Sequence, residues 1–240
     1  MKVIVGSNEK ISELIAEEFI KQVNSKPNSV LGLATGTSPL GVYANLVKAN
    51  KEGRVSFKDV ATFNLDEYIG LEGTHNQSYR YFMNENLFNH IDIDKNKTHV
   101  LEGVGDYLAY ANQYDAEIAK FGGIDLQILG IGSDGHIAFN EPGTSFDSLT
   151  HVAELAESTI VDNSRLFNDI SEVPTKAVTM GLKSIMNARK IVLIATGKNK
   201  AKAIYNLLKG PKTEEVPCSI LQDHPDCTIY VDEDAYSLVK

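Results

Sequence analysis

The sequence contains no tryptophan and only two cysteines, Cys218 and Cys227, among its 240 residues. Two thiols supply neither a disulfide framework nor a metal-ligand cluster, so a reducing cytosol suits the chain and both sulfurs are expected to be buried or half-buried. Long hydrophobic runs are missing too: none approaches the ~20 residues that cross a bilayer. The opening Met1-Lys2-Val3-Ile4-Val5-Gly6 reads as a first strand, without the hydrophobic region or cleavage site of a signal peptide. Basic residues are scarce against acidic ones, 23 to 32, which leaves a net charge of −9. That balance excludes nucleic acid, which requires a basic face. It would also repel an anionic metabolite, so a phosphate ligand would have to be held by a few local cations and helix ends. No linker, low-complexity tract or repeat of solenoid period interrupts the chain.

What is present is a globular composition, 42% hydrophobic and 23% charged, at a length suited to one core. Residues 1–240 are read as a single α/β domain. Apolar runs of strand length fall at Val3–Val5, Val30–Ala34, Val60–Asn64, Ile124–Ile131, Ile191–Ala195 and Cys227–Asp232, with a shorter one near His99–Leu101. Stretches of helical periodicity alternate with them. Ser7 suits the N-cap of the first helix, whose Ile11, Leu14, Ile15 and Phe19 recur at helical spacing. Ser38 and Pro39 suit the N-cap and first position of the second. Further helices are expected near 78–88, 107–121 and 201–208, with a short one at the C-terminus. From Thr144 to about Thr175 no long periodic run appears, which reads as a lid or an edge excursion. Alternating β and α elements with almost wholly apolar strands predict a doubly wound, mostly parallel, Rossmann-like sheet covered by helices on both faces. In such a sheet the ligand site lies beyond the carboxyl ends of the strands, and every conspicuous polar cluster of this chain falls there.

One of these clusters carries a misleading motif. Gly130-Ile131-Gly132-Ser133-Asp134-Gly135 follows a strand and matches the dinucleotide fingerprint G-x-G-x-x-G. The fingerprint also needs a helix opening at its third glycine, to hold a pyrophosphate. Pro142 and Gly143 end any such helix within about two turns. No acidic residue ends a second strand at the ribose-binding distance either. A dinucleotide is therefore not expected, and without a Gly-Lys-Ser/Thr neither is a nucleoside triphosphate.

Three constellations remain. Thr35-Gly36-Thr37-Ser38 and Thr196-Gly197-Lys198-Asn199-Lys200 each follow a strand and lead into a helix, the form of a phosphate cradle that hydroxyls and Lys200 would complete. The plain alternative is ordinary Thr-Gly turn chemistry. Asp66 and Glu67 adjoin a strand end, where neighbouring side chains point to opposite sides, so at most one faces a cleft. They are otherwise two solvated loop acids. A catalytic member would need its pKa raised by burial from the usual value near ~4. Asp134, His136 and Glu141 admit a metal site, a structurally bonded histidine, or an acid–base histidine oriented by flanking carboxylates. The last is favoured, because the other histidines lack ligand spacing. Ser133 lacks the Gly-x-Ser-x-Gly elbow of a nucleophile.

Across essentially the whole chain, four separated pieces resemble the glucosamine-6-phosphate deaminases. They are Leu33-Ala34-Thr35-Gly36, Phe63-Asn64-Leu65-Asp66-Glu67-Tyr68, the run from Gly130 to Pro142, and Asn163-Ser164-Arg165. The resemblance implies hydrolytic isomerisation of glucosamine 6-phosphate to fructose 6-phosphate with release of ammonia. By that match His136 would open the pyranose ring, with Asp134 and Glu141 setting its orientation and charge. Asp66 would move a proton from C2 to C1. Thr35, Gly36, Thr37, Ser38, Arg165 and Lys200 would bind the phosphate. Neither a metal nor an organic cofactor is implied, since the carbonyl made by ring opening already acidifies the C2 proton.

The 6-phosphogluconolactonases share Gly-x-Gly-x-Asp-Gly-His but typically continue toward Ser-Leu-Phe-Pro, where this chain has Phe139-Asn140-Glu141-Pro142. Related sugar-phosphate sensors of bacterial repressors carry a basic helix-turn-helix ahead of the first strand, and this chain starts on that strand. Larger deaminases have a C-terminal extension, form hexamers and respond to N-acetylglucosamine 6-phosphate. Here the sequence stops soon after its last strand, and His151 and Ala153 stand where allosteric members carry arginine and lysine. A short, non-allosteric, monomeric enzyme of the cytoplasm is expected, with no nucleic-acid or membrane partner.

Overall fold

The computed structural model describes residues 1–165 and 167–240. The first half of the chain forms β1 (Lys2–Val5), α1 (Asn8–Ser25), β2 (Val30–Leu33), α2 (Leu40–Lys51), β3 (Ala61–Asn64), β4 (Asp66–Tyr68), α3 (Tyr79–Asn86), β5 (Thr98–His99) and α4 (Tyr107–Lys120). The second half forms β6 (Leu126–Leu129), β7 (His151–Glu154), α5 (Glu157–Ser164), β8 (Lys176–Thr179), α6 (Leu182–Met186), β9 (Ile191–Ala195), α7 (Ala201–Lys209) and β10 (Cys227–Val231). As expected, Ser7 caps α1, its hydroxyl accepting from the Lys10 N–H at 3.2 Å.

The apolar runs assemble into one seven-stranded sheet, ordered β1-β10-β9-β6-β2-β3-β5, with every neighbouring pair parallel. Successive side chains of a strand point to opposite faces. Every residue of β2, β3, β6, β9 and β10 is nevertheless buried, so both faces are covered. This is the doubly wound α/β sheet that the alternation predicts. Both cysteines are buried, Cys227 in β10 and Cys218 in a 3-10 turn outside the sheet. Among the described residues no helix is long and apolar enough to cross a membrane.

A second, three-stranded antiparallel sheet, ordered β4-β8-β7, was not legible beforehand. It arises because the chain changes sheets at Leu65. The Leu65 N–H donates to the carbonyl of Leu33, the last residue of β2, at 3.3 Å, while its own carbonyl accepts from the Met180 N–H just past β8 at 2.7 Å. Asp66 is thereby set opposite Thr179. Tyr68, Leu71, Phe139, Ala153, Leu155 and Ala177 form a small separate core around this sheet.

Three local expectations are corrected. The segment 144–175 is not irregular throughout, since it contains β7 and α5. Helix α2 begins at Leu40 with Pro39 as its N-cap and no side-chain cap, so Ser38 does not cap it. The short C-terminal helix is instead a run of turns over 233–239.

Candidate active site

At the carboxyl ends of four adjacent strands, β9, β6, β2 and β3, the loops leave a cleft of about 540 Å³. That volume suits a small metabolite. The sheet order runs from β2 through β3 to β5 in one direction and from β6 through β9 to β10 in the other. The loops after β2 and β6 thus flank the switch point, where such sheets open a crevice.

The loop after β2 contributes Thr35, Gly36, Thr37 and Ser38 to the wall. Gly36 has φ of 89°, a left-handed conformation that side chains resist, so glycine is what lets the strand turn sharply there. Released from capping, the Ser38 hydroxyl belongs to the cleft. Opposite, the loop after β9 contributes Thr196, Asn199 and Lys200. Its backbone is less free than expected, because the Gly197 N–H donates to both carboxylate oxygens of Asp232, at 3.1 and 2.9 Å. That loop therefore offers side chains more than a backbone cradle. Arg165, just past the end of α5, supplies a second cation to the same cleft. These are the local cations that an acidic protein needs for an anionic ligand.

Asp66 and Glu67 part company as strand neighbours should. Asp66 lines the cleft yet is only 7% exposed. Burial, followed by the neighbouring Glu67 charge, pushes its carboxyl up to about 8. Glu67 is not a solvated loop acid either. It points away from the cleft and accepts three backbone N–H bonds, from Tyr68 and Tyr79 at 2.9 Å and from Arg80 at 3.0 Å.

The turn after β6 carries the histidine. His136 Nδ1 lies 2.8 Å from Asp134 Oδ1 and 3.7 Å from Glu141 Oε2. The shorter approach lies off the ring N–H axis, so it is an electrostatic contact rather than an aligned hydrogen bond. The imidazole holds the Asp134 carboxyl down at about 2. Glu141 is in turn fixed by the Thr159 hydroxyl at 2.6 Å and the Ala156 N–H at 3.3 Å, both from the α5 end of the second half. Ligand atoms of Asp134, His136 and Glu141 lie within 4.8 Å of one another, a spacing a cation could bridge. The same placement sets two carboxylates about one imidazole, the arrangement of an oriented acid–base histidine.

Gly132 explains how the ring fits. A Cβ there would fall 2.2 Å from His136 Cε1, so the imidazole lies directly against bare backbone. Beyond it, Ala138 has φ of 52°, the one non-glycine residue with positive φ among those described. The turn is locked by its neighbours. Asn140 Nδ2 donates to Ile137 O at 2.9 Å and Met180 O at 2.8 Å, and the Phe139 N–H donates to Thr179 Oγ1 at 3.1 Å. No helix opens after Gly135, in line with the exclusion of a dinucleotide.

Comparison with known proteins fits this geometry. Residues 7–230 match the family described as glucosamine-6-phosphate isomerases/6-phosphogluconolactonase. The chain belongs to that family. It is 54% identical over 241 residues to a glucosamine-6-phosphate deaminase of Thermoanaerobacter pseudethanolicus, covering 100% of this chain and 95% of the relative. It superposes on the solved structure of a monomeric glucosamine-6-phosphate deaminase with a TM-score of 0.97 at 41% identity, covering 99% and 100% of the two chains. A 6-phosphogluconolactonase from Trypanosoma brucei superposes with a TM-score of 0.78 at 16% identity over 100% and 98%, which shows a shared fold alone.

Thr35, Gly36, Thr37 and Ser38, together with Asp66, His136, Arg165, Thr196, Asn199 and Lys200, line the cleft, whereas Gly197 and Lys198 of the second loop do not. Asp134 and Glu141 stand behind His136 rather than on the lining. Tyr79, Thr159 and Asn163 also line it, without a sequence signal of their own. Asn163 sat inside a recognised motif. Tyr79 and Thr159 lie on helices whose packing brings them in, and no local pattern marks them.

Proposed function

We propose that the protein converts glucosamine 6-phosphate and water to fructose 6-phosphate and ammonia. The observation that carries this reading is the single cleft shared by a buried acid with a raised pKa, a carboxylate-flanked histidine, two cations and a hydroxyl-rich loop. Family membership and the deaminase relatives support the same substrate.

In this reading Arg165, Lys200, Thr35, Gly36, Thr37 and Ser38 hold the phosphate. His136 moves a proton between the anomeric hydroxyl and the ring oxygen, opening the pyranose, while Asp134 and Glu141 stabilise its charge. The C1 aldehyde so formed acidifies the C2 proton. Asp66 removes that proton and returns it at C1, so an enolamine becomes a C2 imine. Water adds at C2, the C–N bond breaks, and ammonia leaves. A base titrating near neutral pH is well matched to this task. The substrate's own C2 ammonium, arriving beside Asp66, would draw its pKa back down and favour the carboxylate. Lactone hydrolysis gives Asp66 no C2 proton to take, which is why the lactonase reading is the weaker one. We further propose that the enzyme works as a monomer, as its relative of known structure does, and that it acts in the cytoplasm without allosteric activation.

The test is ammonia release from glucosamine 6-phosphate, with Asp66→Asn as the control. Wild type should turn over and the folded variant should not. No release by wild type across a range of pH, or wild-type release by the variant, would overturn the assignment. Solution mass, with rate curves with and without N-acetylglucosamine 6-phosphate, tests the monomeric, unregulated form.

A further inference from the structure

We propose that Glu67, which does not reach the cleft, is a positioning residue that sets the place and charge state of Asp66 by fastening β4 to the first turn of α3. The inference rests on the deaminase reading of the cleft. Three N–H donors converge on its two oxygens: Tyr68 and Tyr79 on Oε1, Arg80 on Oε2. A carboxylate alone presents acceptors on both sides, since the amide of a glutamine would turn an N–H₂ toward one of the donors. The Ser78 hydroxyl takes the next free amide, that of Tyr81, at 3.0 Å. Together Glu67 and Ser78 satisfy the opening of α3, and the negative charge sits where the helix dipole favours it.

The anchoring has a direct consequence in the cleft. Tyr79 lines it, and its backbone is tied to the residue next to Asp66, so acid and aromatic wall move as one body. Glu67 is 2% exposed and forms no ion pair with a lysine or arginine among the described residues. Arg80, whose backbone N–H binds Glu67, sends its guanidinium elsewhere, to Thr98 Oγ1 and Thr98 O, each at 2.8 Å. The Arg80 charge reaches Glu67 without pairing with it, and the Glu67 charge still adds to burial in holding the Asp66 carboxyl up. The other ionisable groups around Asp66 are Tyr68 on its own strand, Tyr79 from α3, Tyr114 from α4, and His136, Arg165 and Lys200 on the walls of the cleft, with Arg80 of α3 facing Glu67 and Tyr114. Of the acids, Glu67 can lose its charge without altering a cleft-lining atom.

Two variants separate geometry from charge. Glu67→Gln should move the acid limb of kcat/KM to lower pH by about 0.5–1 unit, compared on the same substrate so that the substrate's own titration cancels. Glu67→Asp keeps the charge but shortens the reach. It should lower kcat about tenfold with KM nearly unchanged and the limb unmoved. An acid limb of Glu67→Gln that superimposes on wild type, or wild-type kcat in Glu67→Asp, overturns the proposal. The aspartate variant decides alone if the glutamine variant does not fold. A carbon-13 NMR titration of the Asp66 carboxyl in wild type and Glu67→Gln gives the same answer without turnover. Loss of the deaminase reading through absent ammonia release is thus distinct from an unshifted Asp66, which refutes the role of Glu67.

Discussion

Gly132→Ala isolates the contribution of ring placement to the chemistry. The added Cβ would lie 2.2 Å from Cε1, 2.3 Å from Nδ1 and 2.5 Å from Nε2 of His136. Carbon atoms at rest stand about 3.5 Å apart or more, so the imidazole must retreat by about 1.3 Å. The backbone itself accepts alanine, because Gly132 is not among the glycines held at positive φ. The ring borders an open cleft and has room to move, so the cost in stability should lie at the low end of overpacking, about 1 kcal/mol. The catalytic cost should be larger. A displacement near 1 Å of an acid–base group costs on the order of 10²-fold, or about 2.7 kcal/mol of barrier. Coupled ammonia assays should therefore show kcat down about a hundredfold with a thermal midpoint only slightly lowered. Gly130→Ala is the matched control: its Cβ meets nothing within 4 Å, so it should spare His136 and act on KM by intruding into the cleft. Wild-type kcat in Gly132→Ala would refute the placement of His136 as ring-opening group.

Three further outcomes follow from other parts of the structure. The Asp66 carboxyl rises from about 3.9 when unfolded to about 8 when folded, so its contribution to stability is complete below the lower value and lost as pH rises through the upper one. Denaturant titrations should accordingly show Asp66→Asn gaining on wild type between those pH values, and a constant difference would contradict the buried acid. Thr159→Val removes the 2.6 Å donor to Glu141 and should lower kcat about tenfold at under about 1 kcal/mol of stability; an unchanged kcat would show that Glu141 holds itself. At the opposite end of the sheet, Asp125 accepts from the buried Val30 N–H at 2.8 Å and from Lys26 and Arg189. Both cations are substantially exposed, so most of the cost of Asp125→Ala, about 2–3 kcal/mol by urea melts, comes from the orphaned N–H, with kcat unaffected.

The parts of the fold that could be read from sequence are those where one local pattern suffices. Strands such as Ile191–Ala195 are buried on both faces, and only an unbroken apolar run permits that. The second sheet left no such mark. Strand β4 is Asp-Glu-Tyr, and β7 has one fully buried residue in four. Their extended form comes from pairing with β8, more than 100 residues from β4 in the chain. Thr159 was lost for the same reason, lying in a stretch whose short elements gain order from tertiary contact. Ser38 failed as a cap because helix signals at Thr37-Ser38-Pro39 place the start only to within a residue. The acids and the histidine were visible because each sits where a strand ends. That Glu67 turns inward to cap α3 depends on the packing of a helix that begins twelve residues later.

The proposed division of labour between Asp66 and His136 demands that two loops from different strands keep a fixed spacing. The route through β8 supplies it. Asp66 is set opposite Thr179 in the antiparallel sheet. The Thr179 hydroxyl accepts from the Phe139 N–H, and the carbonyl of Met180, the next residue, accepts from Asn140. Leu65, immediately before the acid, receives the Met180 N–H. One strand end thus holds both the start of β4 and the turn between His136 and Glu141. All these groups are buried, so each missing bond would leave an unsatisfied polar atom, at roughly 1–3 kcal/mol. The small sheet that sequence patterns miss is the gauge between the acid and the histidine, and the large parallel sheet supplies the loops against which both are set.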